Sequence, residues 1–82
     1  MAKFVISNNI RKLRFYNEEM TQQELAKRTG VTRQTIVAIE NSKYSPTLEL
    51  AFRIAEVFRT KVEDIFTYEI IEEKNKKEED LK

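Results

Sequence analysis

Arg33 and Gln34 stand side by side directly after Thr32, and both belong to the few side-chain types that can pair twice with an exposed base edge. A guanidinium donates to guanine O6 and N7 together, and a carboxamide donates to adenine N7 while accepting from its N6. Other chemistries are removed by inventory. The 82 residues include no cysteine and no histidine, so thiolate or imidazole metal sites, disulfides, thiol nucleophiles and histidine bases cannot be assembled. No metal and no cofactor is expected. The remaining acid–base groups are carboxylates, tyrosines and lysines scattered along polar stretches without a convergent cluster, which makes an enzyme a poor reading.

To meet a base, Arg33 and Gln34 must lie on the exposed first turn of a helix that something else holds in place. Thr32 predicts a hydroxyl cap for a helix from Arg33 to Asn41, with Ile36 and either Ile39 or Glu40 turned inward. Upstream, Thr21 followed three residues later by Glu24 reads as a capping box, in which the hydroxyl accepts from a free backbone N–H and the carboxylate reaches back to the cap. The helix it opens runs through Leu25 and Ala26 and stops near Thr29. There Gly30, the only glycine in the chain, supplies the left-handed conformation that helix ends favour. Two helices joined by a turn, the second short and polar at its start, form a helix-turn-helix pattern between Thr21 and Asn41.

The rest of the chain supplies the support. Ser7 precedes a first helix, about Asn8 to Tyr16, in which Ile10, Leu13 and Tyr16 or Asn17 repeat at helical spacing, while Arg11, Lys12 and Arg14 form the other face. After a loop at Ser42 to Pro46, Thr47 fits the cap of a fourth helix with Leu48, Ala51, Phe52, Ala55 and Phe58 as its apolar stripe. Val62, Ile65 and Phe66 mark a short fifth helix. KFVI at 3–6 and YEII at 68–71 are β-prone enough for a small pairing of the two ends. The closing EEKNKKEEDLK is nearly all charged and reads as frayed helix or disorder. The expectation is an all-α, five-helix domain over residues 1–66, with room for a minor terminal β pairing, and a charged extension over 67–82.

Composition agrees with one domain: 40% hydrophobic residues in 82 suffice for a single modest core. The net charge of +1 hides an asymmetry, because residues 1–61 carry 11 Lys/Arg against 6 Asp/Glu and residues 62–82 carry 4 against 8. A basic body with an acidic end suits a phosphate-facing surface. No apolar run approaches the roughly 18 residues of a membrane span, and the N-terminus lacks a signal peptide's apolar stretch, so a cytoplasmic protein with no membrane association is expected.

TQQELAKRTGVTRQTIVAIENSKYSPTLELAFRIAEVF resembles the lambda-repressor-like family, also called the Cro/repressor or XRE type of helix-turn-helix transcriptional regulator, and the likeness extends over about Asn8 to Phe66. T-Q-x-E-L-A, G-V, an apolar residue four after Thr32, I-E-N and a downstream proline fall together at the family's spacing. The resemblance implies binding to double-stranded DNA, with Thr32, Arg33, Gln34 and Thr35 meeting bases or neighbouring phosphates. Ala38 falls where relatives carry longer base-reading side chains. It further implies phosphate contacts from Gln22, Asn41, Lys43 and Tyr44, and a structural salt bridge between Arg14 and Glu40. Two positions depart from the family's pattern. The FYNEEM turn is one residue longer and lacks its glycine, which predicts a left-handed Asn17, and Ser42 replaces a common glycine after Asn41.

One such module makes few base contacts, so a homodimer on a near-palindromic operator is expected. Apolar side chains left over once the core is filled nominate Ile65, Phe66, Tyr68, Ile70 and Ile71 as its interface. A protein-interaction module engaging a protein partner through the acidic tail is the alternative from another class.

Overall fold

In a computed structural model, which describes residues 2–72, the chain folds in the order β1 (Ala2–Asn8), α1 (Ile10–Tyr16), α2 (Gln22–Thr29), α3 (Arg33–Glu40), α4 (Leu48–Phe58), α5 (Val62–Ile65) and β2 (Phe66–Glu72). The five expected helices are present, but the fold is not purely all-α. β1 and β2 form an antiparallel ribbon in register from Ala2↔Glu72 to Asn8↔Phe66, and β2 crosses the domain boundary expected after residue 66. The tail from residue 73 lies outside the described residues.

Hydroxyl caps set the helix starts. Thr21, Thr32 and Thr47 accept from the backbone N–H groups of Glu24, Thr35 and Leu50 respectively, each satisfying one donor that the helix cannot satisfy itself. The box at Thr21 is only half made. The Glu24 carboxylate turns away and accepts from Arg28 Nε at 2.8 Å, and that hydrogen bond lowers its pKa from the ordinary carboxylate value. The first helix begins later than expected. Ser7 lies in β1, and Asn8 Oδ1 accepts from Ile10 N at 3.1 Å to open α1.

The ends of α2, α3 and α4 share one device. Gly30, Ser42 and Arg59 all have positive φ, and beyond each the chain turns back so that Val31 N reaches Ala26 O, Lys43 N reaches Ala38 O and Thr60 N reaches Ala55 O. These are Schellman closures, which satisfy carbonyls left free at a helix end. Ser42 thus adopts the left-handed conformation itself. In the long turn after α1 it is Glu18 and Glu19, not Asn17, that have φ near +60°: 59° and 55°, against −101° for Asn17.

Ile10, Leu25, Ile36, Ile39, Ile54 and Ile65 are almost wholly buried and form the centre of the core, joined by Met20, Leu50, Ala55 and Phe58. The expected stripe on α4 holds at Ala51, Ala55 and Phe58 but not at Leu48 and Phe52. Leu48 is 71% and Phe52 59% exposed, and the buried face is instead Leu50, Ala51, Ile54, Ala55 and Phe58. α4 is apolar nearly all round, so its inward face is decided by what α2 and α5 present to it and not by its own periodicity.

Candidate nucleic-acid interface

α3 lies across α2 with Ile36 and Ile39 buried between them. At 100° per residue this leaves Gln34, Val37, Ala38 and Asn41 facing outward, with Arg33 and Thr35 at the margins. Arg33 and Gln34 are exposed, and Arg33 makes no ion pair among the described residues. Thr32 and Thr35 are linked through their hydroxyls at 3.0 Å. Both oxygens keep a free bonding direction, so this turn can still meet a base or a phosphate. Val37, half-buried on the outward face, was not singled out from sequence. Beside Ala38 it presents methyl groups of the kind that touch a thymine methyl.

Below this turn the helices are locked by charge. Arg14 Nε donates to Glu40 Oε2 at 2.6 Å and Nη2 to Oε1 at 3.1 Å, while Nη1 donates to Met20 O at 2.8 Å. Gln22 Nε2 donates to the same Glu40 Oε1 at 3.1 Å. One guanidinium therefore fastens α1 to α3 and holds the lengthened turn, and one carboxylate orients Gln22 at the head of α2. The forked arrangement gives directed, charge-assisted bonds, and the Arg14 and Glu40 side chains are only 14% and 7% exposed.

Beyond Asn41 the Schellman turn at Ser42 carries Lys43 and Tyr44 outward, both exposed. Asn8, not foreseen as functional, joins this end of α3 to the ribbon: its Nδ2 donates to Ile39 O at 2.8 Å. Local sequence holds no sign of that bond, since its partners are 31 residues apart.

Of the residues nominated for self-association, Ile65 is 1% exposed and belongs to the core, so it is withdrawn. Phe66 is half-buried against the core, while Tyr68, Ile70 and Ile71 are exposed. The register places Phe4, Ile6, Phe66, Tyr68 and Ile70 on one ribbon face and Ile71 on the other. Phe4 and Tyr68 stack with ring centroids 5.9 Å apart. Phe4, Ile6 and Tyr68 line a recess of about 270 Å³ whose opposite wall is Tyr44, Ser45 and Pro46. Ile6 and Pro46 continue with Leu48 into a second, apolar hollow. Among the described residues there is no helix long and apolar enough to cross a membrane and no cluster of metal-ligating side chains. The acidic tail nominated for a protein partner lies outside them.

The helix-turn-helix family model matches residues 10–65. Over 60 residues the chain is 57% identical to an uncharacterized HTH-type transcriptional regulator of Methanocaldococcus jannaschii, covering 71% of this chain and 91% of that protein. It is 60% identical over 50 residues to one from Archaeoglobus fulgidus, covering 61% and 70%. With the uncharacterized HTH-type transcriptional regulator YgzD of Bacillus subtilis it shares 47% identity over 49 residues, covering 60% and 74%.

Proposed function

The chain belongs to the helix-turn-helix family of XRE-type transcriptional regulators, and on that basis we propose that it is a cytoplasmic, sequence-specific regulator that binds a near-palindromic operator as a homodimer. The observation carrying this reading is the outward face of α3. Its first turn presents Arg33 and Gln34 exposed, its middle presents only the short Val37 and Ala38, and its end runs into Asn41, Lys43 and Tyr44. A helix with this profile can lie in the major groove with its N-terminal turn against base edges, while the groups flanking it rest on the phosphates.

The labour divides accordingly. Arg33 and Gln34 read bases, Thr32 and Thr35 meet a base or an adjacent phosphate, and Ala38 with Val37 adds thymine methyl contacts. Gln22, Asn41, Lys43 and Tyr44 set register on the backbone. The apolar ribbon face supports the dimer: Phe4, Ile6, Tyr68 and Ile70 are exposed together beside Leu48, and such a patch on a small domain marks an association surface. A dimer of this family type sets two recognition helices in successive major-groove turns, about 34 Å apart.

Arg33→Ala is expected to cost roughly 1 to 3 kcal/mol on the best site and to relax preference at one base pair per half-site. Lys43→Ala is expected to weaken all duplexes almost equally and to reduce the salt dependence by about one phosphate contact. Fluorescence anisotropy on specific and scrambled duplexes over a salt series measures both. If the two variants behave alike, the division into reading and positioning residues is wrong.

A further inference from the structure

We propose that the outward face of α1 is a second self-association surface, through which copies of this chain on neighbouring operators pair in antiparallel fashion and bind DNA cooperatively. The pairing rests on the DNA-binding reading above and is separate from the ribbon contact, since no ribbon residue takes part in it.

Two large apolar side chains on α1 have no place in the core. Phe15 is 62% and Tyr16 70% exposed, and their rings lie edge to face with centroids 5.8 Å apart. At 100° per residue, Arg11, Lys12, Phe15 and Tyr16 share an outward arc of about 140°, opposite the buried Ile10 and the half-buried Leu13 and Arg14. Exposed aromatic side chains are the residue types that anchor interfaces.

The charges around the rings select the occupant. Arg11 and Lys12 stand four and three residues before Phe15, and Glu18 and Glu19 three and four after it. All four are exposed, and none makes an ion pair among the described residues. The turn that carries the two carboxylates is closed by backbone bonds, Glu19 N donating to Phe15 O at 3.1 Å and Met20 N to Arg14 O at 2.9 Å. Glu19 therefore stays about one turn beyond Phe15, although it and Glu18 have positive φ. Along its length the face runs from cations through aromatics to carboxylates. A polyanion or an anionic membrane would meet the carboxylates, and a basic peptide would meet the cations. A second copy turned half round about Phe15 meets neither conflict. Its carboxylates face Arg11 and Lys12, its cations face Glu18 and Glu19, and its rings cover the rings. Such reciprocity is what a two-fold contact requires.

Area sets when the contact forms. At about 150 to 250 Å² each, Phe15 and Tyr16 bury roughly 300 to 500 Å² per copy, short of the roughly 800 Å² per partner of a stable interface. The pairing is too small to hold free copies together and acts once DNA sets them side by side, where the effective concentration is high. Its position agrees. Arg11 lines the same recess as Gln22 and Asn41, so the face borders the side that the proposed reading sets against the duplex. Phe15 and Tyr16 lie at the end of α1 away from β1, which leads into its start, and this leaves the ribbon clear for contact within one operator.

Band-shift titration on duplexes carrying one or two copies of the motif that the wild type selects tests this, with the two copies in the same helical phase or half a turn out of phase. The ratio of second-site to first-site affinity removes any change in single-site binding. The wild type should fill the second in-phase site at least about fivefold more tightly than the first, and the out-of-phase site without that gain. Lys12→Glu, Glu18→Lys and Phe15→Ser should each bring the ratio to one, with melting temperatures close to the wild type because all three side chains are exposed. The double change Lys12→Glu with Glu18→Lys reverses the charges on both sides of the contact and should restore the ratio. A wild-type ratio of one at both phases overturns the proposal and leaves the face to a different partner, while single-site binding keeps the DNA-binding reading intact. A ratio unmoved by the single changes, or a double change as flat as the singles, also overturns it. So does a Phe15→Ser chain that loses as much affinity for the one-motif duplex as for the pair, since the face would then act within one operator. A wild type that binds no duplex overturns both readings.

Discussion

Replacing Glu40 by Ala is expected to lower stability by about 3 kcal/mol, the largest loss of any single polar substitution in the domain, and to take 10 to 20 °C or so from the melting temperature of a chain this small. The carboxylate accepts from Arg14 and Gln22 at once, and the Arg14 side chain is only 14% exposed. Without Glu40, an almost buried guanidinium keeps one carbonyl partner and loses its counter-charge. Breaking such a pair from one side costs more than the pair contributes, because desolvation of the surviving ion is no longer offset. The double replacement Arg14→Met with Glu40→Leu should therefore be less damaging than Glu40→Ala alone. Thermal unfolding of the three chains measures this, and a Glu40→Ala chain as stable as the wild type would remove the ion pair from any part in holding α1 against α3. On the proposed reading the loss should extend to DNA affinity, since Gln22 would lose the hydrogen bond to Glu40 that orients it.

The second large effect concerns the ribbon. Tyr68→Asp together with Ile70→Asp is expected to leave a folded monomer whose operator affinity has fallen by about a hundredfold or more, because one half-site holds little more than the non-specific share of binding. Both side chains are exposed, at 62% and 55%, so the change removes apolar surface without opening the core. Together with Phe4, Ile6 and Leu48 they form a continuous apolar surface, and aromatic side chains of this kind bury about 150 to 250 Å² each when covered. A few of them supply a substantial part of the roughly 800 Å² per partner that a stable interface needs. Sedimentation of the wild type and the double variant at tens of micromolar, with and without duplex, decides the matter. A wild type that stays monomeric in both conditions would defeat the homodimer.

What could be read in advance follows from how local each determinant is. Thr21, Thr32 and Thr47 act on backbone groups three residues away, so the starts of α2, α3 and α4 are visible in sequence. The end of α2 is visible because Gly30 pays little for a positive φ. Ser42 and Arg59 perform the same turn without that sign. Their left-handed conformation is held by closures to Ala38 and Ala55, which repay a strain of about 1 kcal/mol that residue type alone would avoid. The long turn after α1 is settled by Arg14 reaching Met20 O, which shifts the strained positions from Asn17 to Glu18 and Glu19.

Long-range features were less legible in proportion to their separation. The phase of α4 depends on which of two apolar faces its neighbours cover. The ribbon joins segments more than fifty residues apart, so KFVI and YEII signalled strands while the length of their pairing did not appear. On the candidate interface, the exposure of Arg33 and Gln34 could be read in advance, because both follow directly on the Thr32 cap at a helix start. The hydrogen bond that orients Gln22 could not, since its partner Glu40 lies 18 residues away.

Selection of bound duplexes from a random pool, with the wild type and with Arg33→Ala in parallel, bears most directly on the claim that the first turn of α3 reads sequence. The wild type should enrich an inverted repeat with half-site centres about one helical turn, 34 Å, apart. Arg33→Ala should enrich the same repeat with preference lost at one symmetry-related pair of positions. Enrichment of no motif by the wild type, or of an identical motif by both chains, would contradict it.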